Sequence, residues 1–536
     1  MQFALDGQEV GGEFSGDLSN AQLESQPPRP MGAGDMDVGG EFGLEEDVPD
    51  DLGDDQAPQR KIKKKRISTL RVLIAAVPLL AIAGGLLSLT PLGPYGIYAI
   101  KDALSADDYA SSLSNFRSVA ATELDTDTAA TATALLQQAQ TQQAEMPRYV
   151  PMKAYTAFLA FMSSIRFGND SQRMAVGRQL LAEIPVENQH PLVQLARTAS
   201  VAAEGQLDPA KAQAGSVVAT LPGDIDAMVL QAEIALAREE RKEAIALWNK
   251  ALKAHKSPRT QYGLARALFL HRELPKALEM AEAVLKGSKD HAGARTLIAQ
   301  VRFLGSRKDE KVVELLEEVT AKGAVRQAAS RAELVIAYSL LGDVYLARSK
   351  MTKAEQVYAE ALKLDPKSER ALVGNGELFF AAGRYSEALA RFEAASRVKG
   401  DSISALVGKS KTKIALERAK EAKAELAKRE KSSKHPLIGY WLGKSMEALG
   451  ERDEAEGVYR RAIDKGAGHP DVVYPYVALS AVLSARGEEE EAGKVLAEAS
   501  ENLPDNAKLH LAKGEVALGS GRVDVAKGEL QKALEL

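Results

Sequence analysis

Residues 341–366 read LGDVYLARSKMTKAEQVYAEALKLDP, and residues 375–400, thirty-four positions further on, read NGELFFAAGRYSEALARFEAASRVKG. Leu341, Gly342, Tyr345, Ala354, Tyr358 and Ala361 are answered by Asn375, Gly376, Phe379, Ala388, Phe392 and Ala395. The flanks repeat too, Ala371-Leu372-Val373-Gly374 returning as Ala405-Leu406-Val407-Gly408. A fixed period of this length describes a helix pair that cannot bury its apolar stripe alone, so neighbouring pairs stack into a continuous core.

These residues resemble the tetratricopeptide repeats. Small Gly342, Ala354 and Ala361 fall where the two helices of such a repeat approach closely, large Tyr345 and Tyr358 fill the space between them, and Pro366 ends the second helix. Weaker copies keep the phase: Ala244, Trp248 and Ala251; Ala455, Tyr459 and Ala462; Ala492, Leu496, Ala499 and Pro504; Gly514, Ala526, Leu530 and Ala533. Residues 191–224 and 258–291 retain mainly Ala210, Pro222 and Ala277, and around 292–334 the pattern degrades, with extra residues near Gly323. The expected fold class is all-α. It is a helical solenoid, by resemblance a right-handed superhelix, with degenerate repeats over 150–334 and well-matched ones over 335–536.

Composition supports helices: aromatics are 5% and charged residues 27% of 536 residues. Cysteine is absent, which excludes disulfides, thiolate metal sites and a cysteine nucleophile. The net charge of −5 conceals three blocks. Residues 1–59 carry 15 acidic residues and one basic residue, residues 60–71 carry seven basic residues and no acid, and the rest is +2. That balance gives the repeats no large field for nucleic acid, so no nucleic-acid partner is expected.

From Val72 to Ile100 the chain has no charged residue, and Val72–Leu92 is long enough for a transmembrane helix. Pro91, Gly93 and Pro94 would end it, with Tyr95 and Tyr98 at the far interface. Arg60, Lys61, Lys63, Lys64, Lys65, Arg66 and Arg71 precede it and only Lys101 follows closely. The asymmetry predicts a single-pass inner-membrane protein with a cytoplasmic N-terminus and periplasmic repeats. Lys61, Lys63, Lys64, Lys65 and Arg66 would lie against anionic headgroups, and residues 93–149 would form a linker and helical segment. The acidic tail, 1–59, reads as disordered. Its phrase Glu9-Val10-Gly11-Gly12-Glu13-Phe14 returns as Asp37-Val38-Gly39-Gly40-Glu41-Phe42. Either this is drift in a low-complexity segment, or Phe14 and Phe42 anchor a pair of short binding motifs whose two copies add avidity.

No catalytic constellation stands out, and neither an enzyme nor a cofactor or metal is expected. The seven histidines are scattered and read as surface or loop residues. Two Gly-Lys-Ser tripeptides, 408–410 and 443–445, have Ile403 and Ile438 where a phosphate loop needs its second glycine. Gly374-Asn375-Gly376 has Phe379 in place of a dinucleotide fingerprint's third glycine.

The resemblance implies that partners lie against the first helix of each repeat, at its second, fifth, ninth and twelfth positions. These give Ser339 and Asp343; Val373, Glu377 and Phe380; Val407, Lys411 and Ile414; Tyr440, Lys444 and Glu447; and Tyr474 and Val477. Phe380, Lys411, Tyr440, Lys444 and Tyr474 are the candidate partner-binding residues, suited to a helix or extended peptide; the alternative is that Tyr440 and Tyr474 pack at repeat seams. Asp343 and Glu377 have the wrong sign for the clamp with which some relatives hold a C-terminal carboxylate. The function expected is a membrane-anchored scaffold assembling an envelope machine for motility, secretion or polysaccharide export. The alternative is a transmembrane signalling adaptor. No capping helix follows the last repeat, so Leu534 and Leu536 are expected to pack on a partner or a second copy.

Overall fold

The computed structural model describes residues 102–168, 170–306, 309–503 and 506–536. They are helical throughout, with no strand among them. Two helices, α1 (Ala106–Leu124) and α2 (Ala129–Glu145), precede the repeats. Helix pairs follow: α3 (Val150–Phe167) with α4 (Ser171–Ala182), α5 (Pro191–Ala203) with α6 (Leu207–Thr220), and α7 (Ile225–Ala237) with α8 (Arg241–Ala254). Next come α9 (Pro258–Leu270) with α10 (Leu274–Gly287), and α11 (Ala292–Gly305) with α12 (Glu310–Thr320). A five-residue helix, α13 (Ala324–Ala328), is inserted where the sequence pattern degrades. Beyond it stand α14 (Arg331–Ala347) with α15 (Met351–Leu364), α16 (Glu369–Ala381) with α17 (Tyr385–Val398), and α18 (Ile403–Ala415) with α19 (Ala419–Glu430). The last pairs are α20 (Pro436–Glu447) with α21 (Arg452–Lys465), α22 (Val473–Ala485) with α23 (Glu489–Asn502), and α24 (Ala507–Gly519) with α25 (Val523–Glu535).

The period has a packing cause. Each well-matched second helix buries a stripe at i, i+4 and i+7, such as Ala354, Tyr358 and Ala361 on α15 or Ala388, Phe392 and Ala395 on α17. The large central side chain reaches between two first helices, which must be bare where it lands. A Cβ on Gly342 would lie 2.5 Å from the Tyr358 ring and one on Gly374 would lie 2.4 Å from it. Gly376 and Gly408 flank Phe392 in the same way, at 2.8 and 2.2 Å. Each ring therefore locks its own first helix to the next.

A second marker of the repeat lies in the turns. A residue in the turn just past the first helix is left-handed in pair after pair: Gly205, Glu239, Arg272, Ser349, Gly383, Glu417, Gly450, Gly487 and Gly521. Glycine relieves this conformation at Gly383 (φ 74°), whereas Glu417 adopts φ 61° with a side chain attached.

The expected membrane-spanning helix requires correction. No helix among the described residues is long and apolar enough to cross a membrane. The longest ones carry charges: α1 includes Asp107, Asp108 and Arg117, and α3 includes Lys153 and Arg166. The architecture is an all-helical repeat solenoid without a demonstrated span. The inner-membrane localisation, with periplasmic repeats, rested on the span and falls with it. Val72–Leu92 lies outside the described residues, as do the acidic tail with Phe14 and Phe42 and the basic run Lys61, Lys63, Lys64, Lys65 and Arg66.

Candidate functional site

The face lined by first helices divides into a closed and an open stretch. The closed stretch runs from α3 to the start of α14, where the chain covers its own face. The turn between α1 and α2 enters it. Arg259 N–H donates to Asp125 O at 3.2 Å, Ser288 Oγ donates to Thr126 O at 2.9 Å, and His255 Nε2 lies 2.7 Å from Asp125 Oδ2.

Asp127, left-handed at φ 50°, sits at the centre of this turn. Arg166 Nη2 contacts its Oδ2 at 2.7 Å and Arg166 Nε its Oδ1 at 3.0 Å. His291 Nδ1 accepts from Ala294 N–H, which leaves Nε2–H to donate to Asp127 at 3.2 Å. Burial opposes the Asp127 charge, but the Arg166 guanidinium and the His291 bond outweigh it and hold the carboxyl at about 2. Around the turn, Tyr155 Oη donates to Asp226 at 2.9 Å, Arg259 pairs with Asp226 at 2.8 Å, and Arg266 pairs with Glu233 at 2.6 Å. Asp226, Glu233, Arg259, Tyr262 and Arg266 stand at the second, fifth and ninth positions of α7 and α9, the places assigned to partner contact. The space left there includes a cavity of about 30 Å³ lined by Asp127, Arg166, Glu233 and Trp248, enough to hold water.

The open stretch follows α14 and carries the five candidate residues, all partly exposed, in two clusters. In the first, Lys411 Nζ on α18 lies 4.4 Å over the Phe380 ring on α16 and pairs with Glu377. The Tyr385 ring lies tilted against Phe380 at 5.3 Å. In the second, Tyr440 on α20 and Tyr474 on α22 lie 5.5 Å apart, and Tyr459 is 6.4 Å from Tyr440. Lys444 Nζ stands 3.2 Å from Glu447, which also accepts from Tyr459 Oη. Burial, then the Glu447 carboxylate and Tyr474, push the Tyr440 phenol above its usual range. Tyr440 and Tyr474 thus border the core of the last repeats while staying partly exposed. Asp343 and Ser339 are occupied internally: Asp343 accepts from Tyr358 Oη at 2.6 Å and pairs with Arg370, and Ser339 is buried.

The open face extends one repeat beyond the sequence reading. On α24, Lys508 lies 5.5 Å over the Tyr474 ring, and Leu511 and Leu518 are 46% and 50% exposed. They occupy the second, fifth and twelfth positions of the helix, so a further step of thirty-four from Tyr474, Val477 and Ser484 reaches them. At the end of the chain, Leu534 and Leu536 are 88% and 63% exposed.

Other motifs resolve into packing. Gly408 and Gly443, the glycines of the two Gly-Lys-Ser tripeptides, make room for Phe392 and Tyr459. The histidines are not all surface residues, since His291 is fully buried and His510 nearly so. His435, His469 and Asp471 bring one donor atom each within 4.8 Å of the others. Both rings, however, accept a backbone N–H at Nδ1, from Leu437 and Asp471. Nε2 then carries the proton, and coordination there would require giving up both caps.

Comparison with known proteins agrees with the geometry. Two family models described as tetratricopeptide repeat match the chain, one over residues 345–412 and the other over 229–292 and 320–369. No curated protein matches the sequence. Among solved structures, a human IFIT1 dimer with PPP-AAAA is 14% identical, covering 77% of this chain and 94% of that one, with a TM-score of 0.47. The APC/C hetero-tetramer Cut9-Hcn1 is 15% identical, covering 85% of this chain and 96% of that one, with a TM-score of 0.42. Tetratricopeptide repeats indicate a protein–protein interaction scaffold, and no catalytic family is matched. The chain carries such repeats over residues 229–292, 320–369 and 345–412.

Proposed function

We propose that this protein is a non-enzymatic scaffold that holds partner proteins against the open first-helix face from α16 to α24, through Phe380, Lys411, Tyr440, Lys444 and Tyr474. What supports this most is the contrast between the two stretches. The equivalent positions on α7 and α9 are already filled by the chain itself, whereas Phe380, Tyr440 and Tyr474 stay partly exposed beside lysine ammonium groups. Such rings supply apolar area with little side-chain entropy to lose on binding, and the lysines fix register. A segment of partner helix or extended chain is the fitting ligand.

Tyr440→Ala combined with Lys444→Ala is the test. Partner capture by the purified full chain is expected to fall at least tenfold, a loss of about 1.4 kcal/mol. Helicity by circular dichroism should be unchanged and the melting temperature should move by less than ~3 °C. Strong destabilisation with unaltered capture would assign both side chains to packing alone.

A further inference from the structure

Helix α1 is attached to the repeats differently from the turn that follows it. Over nineteen residues it buries only Leu113, Phe116 and Ala120, a stripe at i, i+3 and i+7, and Val119 is half exposed. Phe116 meets Tyr155 of α3 edge-on at 6.2 Å, and the Arg117 guanidinium lies 5.0 Å over the same ring. Arg117 also pairs with Asp224, while its Nε is buried without a partner.

Most of the polar groups beneath α1 are satisfied without it. Tyr155 Oη is satisfied by Asp226, Asp226 by Arg259, and Asp224 already caps α7 by accepting from Ala227 N–H at 3.0 Å. Removing α1 therefore leaves the Tyr155, Asp226 and Ala227 bonds on the repeats intact, frees one oxygen of Asp224 for another cation, and relieves a buried unsatisfied guanidinium nitrogen. The turn at Asp125–Thr128 is the opposite case, tied into the repeats by Arg166, Arg259, Ser288 and His291, so it would tether α1 at its C-terminal end.

We propose that α1 is a displaceable internal ligand, and that the face beneath it accepts from a partner protein an amphipathic helix. The helix would present apolar anchors at i, i+3 and i+7, an aromatic at the second anchor and a cation next to it for Asp224. This is a second interaction surface, distinct from the Phe380–Tyr474 face and independent of it. Helix α1 occupies it in the resting chain and must leave before a partner helix enters.

The experiment uses the full chain and a fluorescently labelled peptide of sequence 104–124 as the probe. Hydrogen exchange of the unaltered protein should show amides of 106–124 exchanging at least ~100-fold faster than those of 150–167. Phe116→Ala with Arg117→Glu should free the face, so that the variant binds the labelled peptide at least tenfold more tightly than the unaltered chain. A peptide carrying Phe116→Ala should bind neither protein. Protection of α1 equal to that of α3 overturns the proposal, as does a loosened chain that binds the peptide no better. Tyr440→Ala with Lys444→Ala should leave peptide binding unchanged, which separates this surface from the α16–α24 face.

Discussion

Replacing Arg166 with methionine is expected to destabilise the closed repeats by about 3–5 kcal/mol, because it strands a buried carboxylate. Asp127 is nearly inaccessible, and Arg166 supplies two of its three side-chain hydrogen-bonding partner atoms, Nη2 and Nε, with His291 Nε2 the third. The same guanidinium stands 3.7 Å from Glu333 and 4.7 Å over the Tyr262 ring. A urea titration followed by hydrogen exchange at 225–305 is the measurement. Adding Asp127→Asn should restore part of the loss, since the charge left unpaired is then gone. The pH dependence follows from Asp127. Its folded value, about 2, lies below the ordinary 3.8, so this carboxylate contributes stability that is fully present above about pH 4. That contribution, on the order of 2 kcal/mol, is lost as pH falls toward 2. Without Arg166 this acid-side loss should shrink, because burial then opposes the Asp127 charge with only the His291 interaction against it.

Tyr358→Ala should rank next, at about 3–5 kcal/mol, the usual range for deleting a fully buried aromatic side chain. Its ring fills the space between Gly342 and Gly374, so truncation empties the seam between α14 and α16 and removes the hydrogen bond to Asp343. In a stack of helix pairs each unit contacts only its neighbours, so the damage should stay local. Hydrogen exchange is expected to accelerate over 335–381 and to remain unaltered over 192–270. Uniform acceleration along the chain would show a single cooperative unit instead.

The same residues explain how much of the molecule was legible in its sequence. Ala354, Tyr358 and Ala361 announced the second helix of a repeat because close helix approach leaves few choices at those positions, and Gly342, Gly374, Gly376 and Gly408 mark where the rings land. The left-handed turn residues were only half legible. Gly383, Gly450, Gly487 and Gly521 carry the expected signal, but Glu239, Arg272, Ser349 and Glu417 adopt the same backbone conformation without it. The closed stretch had no signal at all. Asp127 meets His291 across 164 residues and Arg117 meets Asp224 across 107, and no periodicity encodes such pairs. The first-helix positions of α7 and α9 therefore looked as free as those of α18 and α20. The open face was legible through Tyr474 because its register is that of the repeat. Leu511 and Leu518 needed only one more step.

The most direct measurement of where partners bind compares two full-length variants in affinity purification. One carries Tyr440→Ala, Lys444→Ala and Tyr474→Ala on the first helices; the other carries Glu490→Ala and Lys494→Ala on the exposed side of α23. With both variants melting within ~3 °C of the unaltered protein, the first should lose its stoichiometric protein partners and the second should retain them. Retention by the first and loss by the second would contradict a scaffold that works through its open first-helix face.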